Sequence, residues 1–247
     1  MTLKEFFKTN PKIALGFSGG VDSSYLLYAA KKYNADIKGY YVKTAFQPSF
    51  EFNDAKKLAD SICAKLTVIE IDILSHNEIT ENNCSRCYYC KRQIFGAVKK
   101  RAEDDGYNLM IDGTNASDDI SDRPGIKAIE ELSVRSPLRE CGLTKADVRR
   151  LSKEAGLFTW NKPSYSCLAT RISTNEPITK ELLCKIERAE DILFKMGFSD
   201  FRVRICHGTA RLQVTESDMG KIISHRNRIY SEFSELFNSV FLDLKER

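Results

Sequence analysis

The chain has 247 residues, 42% hydrophobic and 29% charged, with a net charge of +4 from 38 basic and 34 acidic side chains. That composition is ordinary for a soluble globular protein, long enough for one large domain or for one medium and one small domain. It contains no apolar run of the roughly 18 residues a membrane span needs, no basic stripe of the kind a dedicated nucleic-acid binder carries, and no apolar export signal in Met1 to Asn10.

The expected elements alternate through the first half. Lys12 to Phe17 reads as a strand, Ser23 to Tyr33 as a helix and Ile37 to Val42 as a second strand. Asn53 to Leu66 has helical apolar spacing, Thr67 to Ile73 is strand-like, Cys90 to Asp105 helical, and Asn108 to Asp112 a further strand. This βαβα order predicts an α/β fold with a doubly wound, mostly parallel sheet. Thr144 to Glu154 reads as a helix opened by Thr144 and Asp147 at capping-box spacing. Ser173 to Pro177 is turn-forming and reads as a linker. Beyond it the spacing predicts a helix over Thr179 to Met196, a strand with Arg202 and Arg204, and a strand over Ala210 to Val214. A helix over Ser217 to Phe237 and a final strand over Ser239 to Leu244 complete a small α+β domain. The expected division is therefore 1–172 for the large domain and 176–247 for the small one.

The sharpest local pattern is Ser18-Gly19-Gly20-Val21-Asp22-Ser23, between the first strand and the first helix of the sheet. Glycines let the backbone turn tightly and approach an anion, and a helix N-terminus adds partial positive charge. The hydroxyls of Ser18 and Ser23 can donate to phosphate oxygens. Asp22 suits Mg²⁺, a hard cation that prefers carboxylate and phosphate oxygens. The hexapeptide lacks the GK[ST] ending of a Walker A loop. It resembles the PP-loop of the ATP-pyrophosphatases, adenine nucleotide alpha hydrolase-like enzymes that cleave ATP between the α- and β-phosphates. That resemblance implies ATP at the carboxyl ends of the strands.

Eight cysteines are many for a chain whose expected location is the cytoplasm, where a disulfide framework is not the rule. Cys84, Cys87 and Cys90 stand together, and thiolates at such spacing can converge on one metal or cluster. A structural zinc site wants four ligands. No second CxxC is present, and the three histidines are His76, His207 and His225. Cys167 lies far along the chain. Three cysteines on an iron–sulfur cluster leave one iron open for an extra sulfide; zinc and buried thiols are the alternatives. Cys63, Cys141, Cys184 and Cys206 stand singly and read as packing residues.

Taken in order, further strings resemble one PP-loop family, LarE, which supplies sulfur to a nickel-pincer nucleotide cofactor. They are Tyr88 to Lys91, Asp112 to Asn115, Asp122 to Gly125, Ser136 to Leu138, Trp160 to Lys162, and Ser166-Cys167 with Arg171. Arg202 to Arg204 and Leu242 to Leu244 continue the resemblance to the end of the chain. It implies ATP-dependent adenylation of a carboxylate of pyridinium-3,5-biscarboxylic acid mononucleotide, followed by displacement of AMP by sulfur. In one branch a single cysteine, matched by Cys167, is sacrificed to dehydroalanine. In another, three cysteines hold a [4Fe–4S] cluster, matched by Cys87, Cys90 and Cys167, with Cys84 as a substitute for Cys87. The resemblance further implies that Ser18, Gly19, Gly20, Asp22 and Ser23 hold the ATP phosphates. Lys91 and Arg123 would neutralise charge on the adenylate or pyrophosphate, with surface ion pairs as the bland alternative. Arg171, Arg202 and Arg204 would clamp the substrate phosphate through their planar forks. The expected partners are the nucleotide substrate, sulfide or another sulfur donor, and further copies of the chain in a homo-oligomer. The rival readings are a tRNA thiolase of the same superfamily, an amide-forming PP-loop synthetase, and a non-catalytic iron–sulfur or nucleotide-binding module. Neither an RNA-binding nor a zinc-ribbon module supports the first, and the second does not need three converging cysteines.

Overall fold

The computed structural model describes residues 1–119 and 124–247. In chain order the larger elements of the first part are α1 (Leu3–Thr9), β1 (Lys12–Gly16), α2 (Val21–Lys32), β2 (Asp36–Lys43), α3 (Ser49–Ser61) and β3 (Lys65–Glu70). They are followed by α4 (Asn77–Thr80), α5 (Arg86–Asp104), β4 (Leu109–Ile111), α6 (Pro124–Glu131), α7 (Pro137–Glu140) and α8 (Lys145–Glu154). The chain closes with α9 (Lys180–Lys195), β5 (Phe201–Cys206), β6 (Thr209–Val214), α10 (Glu216–Ser224), α11 (Arg226–Ser234) and β7 (Ser239–Leu242).

Contacts divide these elements into two compact units, one of Met1–Ile73 with Ser85–Ser164, the other of Leu74–Cys84 with Tyr165–Arg247. Residues 165–172, expected in the large domain, group by contacts with the second unit. Arg171 is tied to Glu190 of α9, and Ile172 bridges Ile205 of β5. Asn82, 1% exposed, donates its amide to the carbonyls of Ser173 and Glu176. The stretch read as a turn-forming linker is thus held within the second unit.

In the first unit four parallel strands run in the order β3-β2-β1-β4, and Ile111 adds a parallel bridge to Arg135. Side chains alternate across the strands. Ile13, Leu15 and Tyr41 join one buried cluster with Leu26 and Leu27 of α2, Leu58 of α3 and Val148 of α8. Ala14, Tyr40 and Val42 join the other, with Val98 and Ala102 of α5 and Ile129 of α6. Helices therefore cover both faces, as a parallel sheet buried on both sides requires. Each fully buried Leu or Ile contributes about 1.5–3 kcal/mol. Because β4 returns beside β1 rather than beside β3, the strand order reverses between them. In such sheets ligands bind outside the carboxyl ends of the strands at that reversal.

Several expected bounds shift for local reasons. The helix expected over 53–66 is α3, ending where Cys63 turns to φ +50. α5 starts at Arg86, so it carries Cys87 as well as Cys90. The single helix expected over 217–237 breaks at His225, whose Nδ1 lies 2.9 Å from the Lys221 carbonyl. α1 was not expected; a reciprocal capping box between Thr2 and Glu5 opens it.

In the second unit β5 and β6 form an antiparallel hairpin, and β7 joins β6 in parallel after the α10–α11 crossover. Phe201, Val203, Ile205, Ala210, Leu212 and Val214 are buried, as are Ile186, Ala189 and Leu193 on α9. Arg202 and Arg204 alternate with those apolar residues and so share the opposite face of β5. Among the described residues no helix is long and apolar enough to cross a membrane.

Candidate active site

The phosphate-loop motif occupies the β1–α2 turn. Gly19 has φ +73, and a Cβ there would stand 2.8 Å from the Cβ of Ala55 and 2.9 Å from its Cα. Conformation and space both require glycine. Gly20 caps α2 without a side-chain acceptor on the first-turn amides, which leaves those donors directed at an incoming anion. Ser23 is buried and spends its hydroxyl inside the loop. It accepts from the Ser18 amide at 3.3 Å, donates to the Gly20 carbonyl at 3.3 Å and lies 3.1 Å from the Ser18 hydroxyl. Ser23 thus shapes the loop, and the hydroxyl of exposed Ser18 also accepts from the Gly20 amide at 3.3 Å.

The turn after β4 completes this site. Asp112 accepts from the Thr114 amide at 3.1 Å, the Thr114 hydroxyl at 2.6 Å and the Ser136 hydroxyl at 2.7 Å. A Cβ on Gly113 would lie 3.1 Å from the Ser23 amide nitrogen and 3.2 Å from the Asp22 Cβ, so glycine lets the two loops touch. Gly113→Val is expected to destabilise the fold by about 1–3 kcal/mol through overpacking; a denaturant midpoint equal to wild type would count against the close approach. Asn115, 2% exposed, donates to Asp22 at 3.2 Å. Lys145, the first residue of α8, donates its ammonium to the other Asp22 oxygen. Asp22 therefore sits at the mouth of the strand reversal with a cation and an amide already aimed at it.

Cys87 and Cys90 stand three apart on the first turns of α5, with Cys87 exposed and Cys90 half-buried. At that spacing Cβ atoms are about 5–6 Å apart on one helix face. Cys84 precedes the helix and groups with the second unit. Lys91 lies one residue beyond Cys90, and its aliphatic stem is where a Cβ on Gly125 would collide, at 2.8 Å. Gly125 thereby lets α6 close on α5. Arg123 and Asp122 lie outside the described residues.

In the second unit Cys167 caps a short 3-10 turn, Leu168–Arg171. Its carbonyl accepts from the Thr170 amide at 3.0 Å and the Thr170 hydroxyl at 2.7 Å. Arg171 then holds that turn to the core. Its side chain is fully buried, with Nε 2.7 Å from Oε1 of Glu190 and Nη1 donating to Ser166 at 2.9 Å and Thr170 at 2.8 Å. Glu190, itself 2% exposed, also accepts from Tyr165 and from the Val203 amide at 3.1 Å. Arg171, expected to clamp a phosphate, is therefore committed to a buried ion pair under Cys167.

Arg202 and Arg204 remain as the basic pair. The Arg202 guanidinium stacks over the Tyr165 ring at 5.2 Å, and the Arg171 guanidinium lies 4.7 Å from the same ring. Burial, and then the adjacent Arg171 charge, push Arg202 down to about 10. Arg204 is lowered by burial and by the charges of Arg171 and Arg211. Arg204 donates to the Thr170 carbonyl at 2.8 Å and, with Arg211, Ser173, Thr174 and Phe241, lines a cavity of about 570 Å³. Crowded guanidiniums with depressed basicity are the electrostatic state that an anion relieves.

No family model matches the chain. Over 98% of its length, and 89% of the other protein's, it is 30% identical to the pyridinium-3,5-bisthiocarboxylic acid mononucleotide synthase of Lactiplantibacillus plantarum. The chain belongs to that family, LarE. Two uncharacterised proteins are similar over comparable spans. One, from Synechocystis, is 34% identical over 90% of this chain and 83% of its own, and one, from Methanocaldococcus jannaschii, is 33% identical over 98% and 93%. More distant is a probable tRNA sulfurtransferase of Clostridium acetobutylicum, 24% identical over 76% of this chain and 52% of its own.

As a LarE-family chain the protein is an enzyme, and its fold is that of the PP-loop enzymes. The residues that sequence reasoning missed are Asn115, Lys145 and Glu190. Asn115 lies in the stretch Asp112 to Asn115, whose pattern alone assigns it no role. Glu190 carried a signal, because it falls four residues after Ile186 and three before Leu193, on the apolar stripe of α9.

Proposed function

We propose that this LarE-family chain uses ATP to adenylate a carboxylate of pyridinium-3,5-biscarboxylic acid mononucleotide and converts it to the thiocarboxylate. The observation that supports this reading most is the loop at the strand reversal, where α2 starts at Gly20 without a side-chain cap, beside Asp22 and Lys145. The triphosphate lies over Gly19, Gly20 and the hydroxyl of Ser18. Asp22 is the oxygen donor fitted to hold Mg²⁺, which when bound neutralises phosphate charge. Lys145 is placed to meet the departing pyrophosphate, and the family resemblance assigns Lys91 and Arg123 to neutralising the same charge.

The substrate carboxylate attacks the α-phosphorus, the bond to the bridging oxygen breaks, and pyrophosphate leaves. A carboxylate is a poor electrophile; the acyl adenylate gives its carbon a leaving group. Sulfur attacks that carbon, the bond to the AMP oxygen breaks, and AMP departs with the electron pair. Arg202 and Arg204 hold the substrate's own phosphate, a role favoured by the burial and the neighbouring Arg171 charge that lower both. Arg171 positions the Cys167 turn.

The sulfur route involves Cys167. By the family resemblance, Cys87, Cys90 and Cys167 are the residues that would hold a [4Fe–4S] cluster. Such a cluster, when bound, would supply sulfide at its open iron. Without it, the Cys167 thiolate attacks the adenylate to form a thioester. Loss of the Cys167 α-proton then breaks its Cβ–S bond, releasing thiocarboxylate and leaving dehydroalanine.

The test is a single reaction with ATP, Mg²⁺, the biscarboxylate nucleotide and sulfide, followed by mass spectrometry of small molecules and protein. Wild type is expected to give AMP, pyrophosphate and thiocarboxylate. Cys167→Ala should still release pyrophosphate but lose the thiocarboxylate. Thiocarboxylate formed by Cys167→Ala at the wild-type rate would reject the assigned role. Iron content that Cys87→Ala and Cys90→Ala abolish, with an intact Cys167 mass after turnover, would select the cluster route.

A further inference from the structure

We propose that the tip of the β5–β6 hairpin is a binding site for one zinc-class divalent metal, held by Glu176, Cys206 and His207. One donor atom from each lies within 4.8 Å of the other two. Neither the phosphate site nor the sulfur route uses any of these residues, so the proposal stands independently of the assigned reaction.

The three donors are brought together by backbone features that are separate from one another. β5 ends at Cys206 and β6 starts at Thr209, so His207 and Gly208 form a two-residue hairpin turn with φ +47 and +75. Positive φ at both positions is the mirror-type turn that matches strand twist, and it is usually filled by Asn-Gly or Asp-Gly. Histidine is, with asparagine and aspartate, among the non-glycine residues that enter this region most readily. The carboxylate is fixed from the other side. Glu176 closes a turn onto the Ser173 carbonyl at 3.0 Å, after Asn175 at φ +68, and buried Asn82 holds the Ser173 and Glu176 carbonyls at 2.8 and 2.9 Å. Its Oε1 accepts from the His207 amide at 3.0 Å and lies 3.0 Å from the His207 Nδ1. The acid is thus oriented at the hairpin by main-chain contacts that a bound metal would leave in place.

Thiolate, imidazole and carboxylate form a donor set of borderline softness, suited to Zn²⁺ and its tetrahedral surrogate Co²⁺ rather than to Mg²⁺ or Ca²⁺. A thiolate and a carboxylate together neutralise the dication, so the site carries no net charge when filled. Three protein ligands leave a fourth position for water or an anion. Cys206 and His207 also line the cavity that holds Arg204 and Arg211, so that position borders a basic pocket. Because the Cys206 thiol must lose its proton, binding releases protons and weakens as pH falls.

The experiment is a Co²⁺ titration of the reduced, iron-free full chain, followed by absorbance. Wild type is expected to show a thiolate-to-cobalt charge-transfer band that saturates with one equivalent and disappears on adding Zn²⁺. Cys206→Ser should lose that band. His207→Asn, which keeps a residue suited to positive φ and so preserves the hairpin, should weaken Co²⁺ binding at least about tenfold. Cys87→Ser should leave the band intact, separating this site from the other thiols. No band in folded wild type overturns the proposal. So does a wild-type titration in both Cys206→Ser and His207→Asn, or a band lost in Cys87→Ser alone.

Discussion

Lys145→Met is expected to slow ATP–pyrophosphate exchange by about 10²–10³-fold, the cost typical of removing one preorganised group that meets developing charge. The ammonium pairs with Asp22 across the mouth of the phosphate loop, with 31% of the lysine side chain and 18% of the aspartate exposed. In that position its charge balances Asp22. Asp22 would hold Mg²⁺ if it binds, and Lys145 beside it would meet the negative charge that grows on the phosphates as the α–β bond breaks. Methionine keeps the stem length and helix propensity, and α8 retains its Thr144–Asp147 capping box. The unfolding midpoint should therefore stay at the wild-type value while exchange falls. Lys145→Arg should recover part of the rate, because charge returns without the compact ammonium geometry. Exchange within twofold of wild type in Lys145→Met would remove the lysine from the adenylation step. A parallel fall in unfolding midpoint would assign the Asp22 contact to folding.

What the sequence disclosed about this site was what one short segment holds by itself. Ser18 to Ser23 announce the loop because tight turn, glycine and helix start are all local. The alternation of strand and helix likewise disclosed the parallel sheet. The partners of Asp22 were hidden because they come from 93 and 123 residues away in the chain, and only the return of β4 beside β1 brings them in. No local periodicity encodes that return. Helix ends were obscured for a different reason: Cys63 and His225 stop helices by single-residue backbone geometry in segments whose composition would continue them.

The arginines illustrate the same limit at the level of roles. A strand with Arg202 and Arg204 on one face was legible from the period of two. The task of Arg171 was not, since Arg171 and Arg202 look alike in sequence and differ in what folding places beside them. Arg171 forms a hydrogen-bonded ion pair with Glu190, whereas burial first, and then the Arg171 charge, lower Arg202. Equal charge thus serves two ends, and Arg171 is the one held by a glutamate on the buried face of α9.

That glutamate carries the second large effect. Glu190→Ala is expected to lower the unfolding free energy by about 3–5 kcal/mol, because it leaves the fully buried Arg171 without its counter-charge. Removing a partner from a buried pair costs far more than the pair contributes net, so the paired replacement is the informative control. Glu190→Leu combined with Arg171→Met should regain most of the lost stability, since apolar side chains of similar volume often substitute for a buried ion pair without penalty. The Cys167 turn would still lack its guanidinium, which binds Ser166 and Thr170 as Thr170 binds the Cys167 carbonyl. If Arg171 positions the sulfur-bearing turn, the double variant will fold, exchange pyrophosphate at the wild-type rate and form thiocarboxylate at least about tenfold more slowly, as misplacement of reacting groups by about 1 Å predicts. Thiocarboxylate formation at the wild-type rate in the stable double variant would reduce the Arg171–Glu190 pair to a packing element.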